Sequence, residues 1–255
     1  MDTTKKLPTV ISFCSGYGGI ERGLDLAGIE HRVIAYVEIE AYAVANLVAK
    51  MESGELPPSP IYTDIKTFPS GIFRGKVDII TGGYPCQPFS LSGSRKGEDD
   101  ERHLWKYIRK HVQAIRPSRF FFENVEGHIS LGLSTVLSDM EEDGYGATWG
   151  IFSANEVNAP HRRKRVFIMG NANSSYSERG RLSCGMDKEY SNINSTSNSL
   201  GEQTTQQWEA EPNVGRVVDG SSNQLDRLRL LGNGVVPQTA CKAYKVLKER
   251  FNEAK

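Results

Sequence analysis

The feature that most restricts how this chain can fold is an alternation of short apolar runs with helical patterns, spread over roughly its first two-thirds. Val10–Cys14 reads as a strand, and Ile20–Ala27 as a helix following a Gly-rich turn. His31–Val37 and Glu40–Met51 repeat the pair. Val77–Thr81 (VDIIT) is a continuous apolar run bounded by glycines, the pattern of a strand buried on both faces. A helix is expected over His103–Ile115, a strand over Arg119–Phe122, a helix over Leu133–Glu142 and a late strand over Arg165–Met169. Strands alternating with helices imply an α/β domain with a mainly parallel sheet, in which ligands sit beyond the carboxyl ends of the strands.

After Gly170 the character changes. From Asn171 to Ser199 there are 8 Ser and 5 Asn in 29 residues, too polar a stretch to bury much surface. Regular character returns near Gln224, and Gln238–Phe251 reads as a closing helix. The expected organisation is a catalytic core over 1–170, a small irregular insert over 171–225, and a segment over 226–255 that returns to the core. Formal net charge is +0, which excludes a uniformly basic nucleic-acid-binding domain but not a basic face balanced by acids elsewhere. The four cysteines (Cys14, Cys86, Cys184, Cys241) form no C-x-x-C pair, and the five His complete no ligand pattern, so no metal is expected. The start of the chain does not read as a signal peptide, and no run approaches membrane-spanning length; a reduced, soluble intracellular protein is the expectation.

Three motifs carry chemistry. Ser15-Gly16-Tyr17-Gly18-Gly19 follows the first strand, where glycines allow a tight turn and let a ligand approach the backbone. Glu38, ending the second strand, stands where an acid would accept hydrogen bonds from ribose hydroxyls, or where a strand end is simply solvated. Together they suggest a nucleoside cofactor without naming which one. Tyr84-Pro85-Cys86-Gln87-Pro88-Phe89-Ser90 follows VDIIT and puts a Cys between two prolines at a strand's carboxyl end. Such a thiol is either an inert small hydrophobe or, given positive neighbours such as Arg163 and Arg165, a nucleophile. Phe120-Phe121-Phe122-Glu123-Asn124-Val125 ends another strand with a carboxylate in apolar surroundings, suited to proton exchange near neutrality or to capping the next segment.

The Gly-rich turn, PCQPFS, ENV, the basic HRRKR segment (His161–Arg165) and LGNGVVPQ occur in the order found in the C5 cytosine-specific DNA methyltransferases, which the chain resembles over nearly its whole length apart from the polar insert. PCQ and ENV, with Cys86 and Glu123 separated by 37 residues, are the most specific pair. The resemblance implies a Rossmann-like S-adenosylmethionine-dependent methyltransferase fold with flanking helices and a small irregular target-recognition insert. It implies Cys86 as nucleophile on carbon 6 of a flipped-out cytosine, Glu123 engaging the ring at nitrogen 3, and Arg163 and Arg165 as the catalytic arginines of the family's Q-x-R-x-R motif, with Arg165 helping to fix the base and the catalytic groups. His161 stands where the family usually has Gln. For S-adenosylmethionine it implies Gly16, Tyr17, Gly18, Gly19, Glu38, Ile39, Asp64, Ile65, Pro85 and Asn233, with Cys14 where a Phe often meets the adenine and Gly234 where Ser is frequent. Gln87, Ser90, Ser92, Arg95, Lys96 and Arg102 would touch DNA. Arg179, Arg181, Lys188 and Trp208 are candidate contacts in the insert.

The implied partner is duplex DNA. The implied setting is the cytoplasm of a bacterial or phage-infected cell, with a monomer as the default and a cognate restriction endonuclease left open. Rival readings are the same chemistry on RNA, a catalytically silent DNA-binding protein, and a dinucleotide-dependent oxidoreductase. The last lacks the G-x-G-x-x-G spacing and leaves PCQ and ENV unexplained.

Overall fold

Every residue of Thr9–Phe13 (β1, TVISF) is buried, as a strand flanked on both edges and covered on both faces must be. The computed structural model describes residues 6–85, 104–172 and 234–253. In chain order these form β1, α1 (Gly19–Leu26), β2 (Arg32–Val37), α2 (Ala41–Glu52), the short β3 (Ile61–Tyr62), two 3-10 turns, β4 (Ile79–Gly83) and α3 (Trp105–Ile115). There follow β5 (Arg119–Val125), the one-turn α4 (His128–Leu131), α5 (Leu133–Glu142), β6 (Gly146–Ser153), a third 3-10 turn, β7 (Lys164–Asn171) and the closing helix α6 (Pro237–Glu253).

The strands make one seven-stranded sheet in the order β3-β2-β1-β4-β5-β7-β6. The pairs from β3 to β5 are parallel, whereas β7 runs antiparallel to both β5 and β6. The mainly parallel α/β sheet expected from the sequence is therefore present. Chain order grows outward from β1 to β3, then resumes on the other side of β1 at β4. The switch point, where such sheets bind ligands, falls between the ends of β1 and β4. The Gly-rich turn leaves one of these strands, and the Tyr84-Pro85-Cys86 segment leaves the other.

Three consecutive phenylalanines in β5 show how both faces are filled. Phe120 and Phe122 stack at 4.9 Å on one face, in a core with Ile11, Phe13, Ile80 and residues of α3 and α5. Phe121 points the other way, meeting Phe167 at 5.4 Å and Tyr244 of α6 at 5.3 Å. Period-2 alternation alone decides this, and full burial of each ring contributes roughly 1.5–3 kcal/mol.

Several expected bounds shift, and one long strand was not expected. The strand expected over Val77–Thr81 runs over Ile79–Gly83, because Asp78 is used at the foot of β1, its carboxylate accepting from the Thr9 amide at 2.8 Å. The late strand extends to Lys164–Asn171. β6, with glycines at both 146 and 150, has no clean apolar alternation and escaped the sequence reading; it is an edge strand held by pairing with β7.

Candidate active site

The site is assembled at the carboxyl edge of the parallel strands. Glu123 lies opposite Gly83 in the β4–β5 ladder, and a Cβ on Gly83 would stand 3.4 Å from its Oε2. Arg165 reaches across from β7, its Nε 2.9 Å from Glu123 Oε1. Arg163 sits just before β7 in a left-handed backbone conformation (φ 29°), its guanidinium donating to the Gly234 carbonyl. Burial pushes the Glu123 carboxyl up to about 7, against the pull of Arg165 and then Arg163. The same burial, reinforced by Arg165, lowers Arg163. Arg163 Nε is buried without a hydrogen-bond partner among the described residues, so beside Glu123 there is a donor that the described fold does not consume.

The other half of the edge is built around the Gly-rich turn. Gly16 and Gly18 adopt left-handed angles (φ 54° and 82°), which side chains disfavour. Glu38, 6 % exposed, ties the turn to the end of β2: its two carboxylate oxygens accept from the Gly16 amide at 2.7 Å and the Glu40 amide at 2.8 Å. Its role as a backbone clamp was not evident from sequence. Ile39 beside it is 74 % exposed. Asp64 accepts from the Lys66 amide at 2.8 Å, and Ile65 is buried with its carbonyl 2.7 Å from His111 Nε2. Burial lowers the His111 pKa, against the opposing effect of its bond to the Ile65 carbonyl. Cys14 has a positive φ of 49° and a thiol pushed up to about 12, first by burial and then by Glu38, so it is no thiolate at neutral pH.

Tyr17 departs from the simple picture of a cofactor-facing side chain. Its hydroxyl donates to the Val235 carbonyl and its ring lies where a Cβ on Gly234 would be, while Lys50 Nζ donates to its carbonyl at 2.8 Å. The side chain thus seals the start of α6 onto the turn, and burial pushes its hydroxyl up to about 12.

Of the expected site residues, the structure places Cys14, Gly16, Tyr17, Gly18, Gly19, Glu38, Ile39, Asp64, Ile65, Pro85, Glu123, Arg163 and Arg165 along or beside this single edge. Cys86, Gln87, Ser90, Ser92, Arg95, Lys96, Arg102 and Asn233 lie outside the described residues, as do Arg179, Arg181, Lys188 and Trp208. Sequence reasoning missed three buried polar groups that brace the edge. Glu21 of α1 accepts from the Thr81 hydroxyl, and His111 and His128 contact the segments leading to the site. Glu21 offered one signal, an acid on the inner face of an amphipathic helix; the two His offered none.

Two concavities of about 460 and 240 Å3 lie at the opposite edge, around Thr9, Arg32 and Pro57–Pro60, and around Ser118, Arg119 and Lys248. They take no part in the site. Among the described residues no His, Cys, Asp or Glu side chains cluster as a metal would need, and no helix is long and apolar enough to cross a membrane.

The geometry and the motif order have a common explanation in known proteins. The family model of the C-5 cytosine-specific DNA methylases matches residues 8–228. The chain belongs to that family. It is 34% identical over 176 residues to the type II methyltransferase M.AgeI of Thalassovita gelatinovora, covering 65% of this chain and 40% of that one. It is 32% identical over 170 residues to the orphan methyltransferase M.Rho11sI of Bacillus phage rho11s, covering 63% and 32%. The crystal structure of the S. pombe Dnmt2 methyltransferase superposes with a TM-score of 0.53 at 25% identity, over 64% of this chain and 50% of that one. The fold is therefore that of the methyltransferases, although the match spans less than half of either of those two curated relatives.

Proposed function

We propose that the chain transfers a methyl group from S-adenosylmethionine to carbon 5 of cytosine in a specific short sequence of duplex DNA, through a covalent bond between Cys86 and a flipped-out base. The observation that carries this reading is Glu123. This buried carboxyl, with a pKa of about 7, is ion-paired to Arg165 and paired in register with Gly83, which precedes Cys86 by three residues in sequence.

Carbon 5 of cytosine is a poor nucleophile. Attack of the Cys86 thiolate forms a bond to carbon 6, and the displaced electron pair makes carbon 5 electron-rich. Glu123 eases this addition by giving a proton or hydrogen bond to nitrogen 3, which a carboxyl near pH 7 can do. Arg165 fixes the carboxyl's direction, and Arg163 and Arg165 supply positive charge that favours a thiolate. Bound S-adenosylmethionine supplies an electrophilic methyl group. Once carbon 5 carries the methyl group it loses its proton to a base or water, the carbon–sulfur bond to Cys86 breaks with its electron pair returning to sulfur, nitrogen 3 gives its proton back to Glu123, and the aromatic ring is restored. A base stacked in a duplex cannot be reached in this way, so flipping is required.

The cofactor's fit rests on the half of the edge built around the Gly-rich turn. Gly16 has open space above its backbone, Glu38 keeps lone pairs beyond those given to the two amides, and exposed Ile39 offers an apolar surface beside it. Asp64 follows β3 and Pro85 follows β4, the strands on either side of the β2–β1 pair.

Purified protein incubated with methyl-labelled S-adenosylmethionine is expected to label cytosine in mixed-sequence duplex DNA, and Cys86→Ala to abolish the label. Label in transfer RNA but not in duplex DNA would move the substrate to RNA. Cofactor binding without transfer to either would leave a silent binding protein.

A further inference from the structure

β4 ends at Gly83, and the two residues leading from it to Cys86 are outside the strand ladder. Tyr84, the first of them, is only 4 % exposed, and its hydroxyl is hydrogen-bonded at 3.1 Å to His128 Nε2, itself 4 % exposed. His128 belongs to α4, five residues after Glu123. The two rings meet edge-to-face at 5.6 Å, with an interplanar angle of 86°. Tyr84 also packs on Phe122, the residue immediately before Glu123, at 6.1 Å, and on Trp105 at the start of α3 at 5.6 Å. Gly132 leaves space for the imidazole, since a Cβ there would lie 2.9 Å from His128 Cε1. Burial pushes His128 down to about 4, so the ring is neutral and its Nε2 takes part in a bond between uncharged groups. The ladder fixes Gly83 against Glu123, and past that point the Tyr84–His128 bond is a direct side-chain link between the chain leading to the nucleophile and the chain leaving the carboxyl.

We propose that Tyr84 and His128 are a positioning pair, which holds the chain leading into Cys86 in register with Glu123 without touching the base. The proposal rests on the reading of Cys86 and Glu123 as the reacting groups. A buried hydroxyl–imidazole bond is directional, and its loss leaves an unsatisfied polar atom that the surroundings must relax to accommodate. Displacements of about 1 Å at a reacting centre cost up to about 100-fold in rate. Neither residue offers the chemistry of the reaction itself.

The test uses the full chain with Tyr84→Phe, His128→Leu, His128→Gln and the Tyr84→Phe/His128→Leu double variant. The primary readout is the rate of covalent trapping on duplex DNA carrying 5-fluorocytosine, with S-adenosylmethionine affinity and melting temperature measured alongside. Tyr84→Phe and His128→Leu are expected to slow trapping about 10-fold, with cofactor affinity within about twofold of the parent. The double variant is expected to be no slower than the slower single one, and His128→Gln, which keeps a polar atom near the Nε2 position, to recover most of the rate. Parental trapping by Tyr84→Phe, or losses that multiply in the double variant, would overturn the proposal. Should His128→Leu fail to fold, Tyr84→Phe, which removes one oxygen, decides alone. Alkylation of Cys86 by iodoacetamide, read by peptide mass spectrometry against Cys14, needs no DNA. If the parent traps no fluorocytosine, the proposed activity falls, and the alkylation rate still decides the pair. A change of about threefold or more in Tyr84→Phe supports it, and an unchanged rate overturns it.

Discussion

Glu123 is held between opposing effects: burial favours its neutral form, and two guanidinium groups favour its charged form. Burial dominates, so its pKa rises from the ordinary 4.5 to about 7. Between these values the folded chain binds more protons than the unfolded chain, and stability therefore falls as pH rises through that window. Glu123→Gln stays neutral. Its stability relative to the parent is expected to increase from pH 4.5 to 7 and level off above, as thermal melts at pH 5 and pH 8 would show, while methyl transfer drops by about 100-fold or more. A melting difference that is the same at both pH values would contradict the raised carboxyl. Gly234 is a second residue whose environment dictates its identity, because Tyr17 occupies the space of a side chain there. Gly234→Ser alone is expected to cost about 1–3 kcal/mol, and Tyr17→Ala in the same chain to remove most of that penalty. Additive losses in the double variant would show that the two do not compete for space.

At the scale of elements, α3 and α5 are clamped together by Arg109. Its guanidinium is 2.6 Å from Asp139, 2.9 Å from Glu142 and 3.0 Å from Asp143, and Trp105 Nε1 donates to Asp139 at 2.7 Å. Glu142 is 66% exposed and contributes little, whereas Asp143 is 9% exposed and Asp139 18%, so these two carry the clamp. Arg109→Ala removes the cation and leaves three acids crowded at the carboxyl end of α5, Asp143 being its cap. A loss of about 2 kcal/mol, roughly 4–8 °C in melting temperature, is expected, larger at low salt than at 1 M. A salt-independent loss would point to the packing of the Arg stem instead. α6 plays the corresponding role on the opposite face, where Ala240, Ala243, Tyr244, Leu247 and Phe251 cover Phe121, Phe167 and Met169. Gly23 of α1 lets this helix approach closely, a Cβ there falling 2.6 Å from that of Ala240.

For the whole molecule, the proposed function divides one edge of the sheet: the residues proposed to bind the cofactor follow β1 to β3, and those proposed to react are Cys86, which follows β4 in sequence, Glu123 near the end of β5 and Arg165 at the start of β7. S-adenosylmethionine is therefore expected to stabilise Cys86→Ala as much as the parent, by about 2.7 kcal/mol at 100 times the Kd, or roughly 5–11 °C. A shift seen only with the intact thiol would place Cys86 in the cofactor site. Much of this plan was legible in the chain itself. Apolar runs over β1, β2, β4 and β5 announced a buried parallel sheet, and the run over β7 a further buried strand, because burial on both faces demands continuous apolar sequence; Cys86 and Glu123 stand in sequence just past or at the ends of two of these runs. Two strands escaped: β3 is two residues long, and β6 is an edge strand whose burial is set by β7. Local sequence thus determined most of the elements and the Gly-rich turn, and it nominated Cys86 and Glu123 as the reacting groups, since these depend on neighbours within a few residues. Only the tertiary structure decided that Glu38 clamps the turn, that Tyr17 seals against Val235 at a separation of 218 residues, and that His128 meets Tyr84. Those contacts join segments far apart in sequence, and the pKa of Glu123 likewise depends on how deeply the assembled sheet buries it.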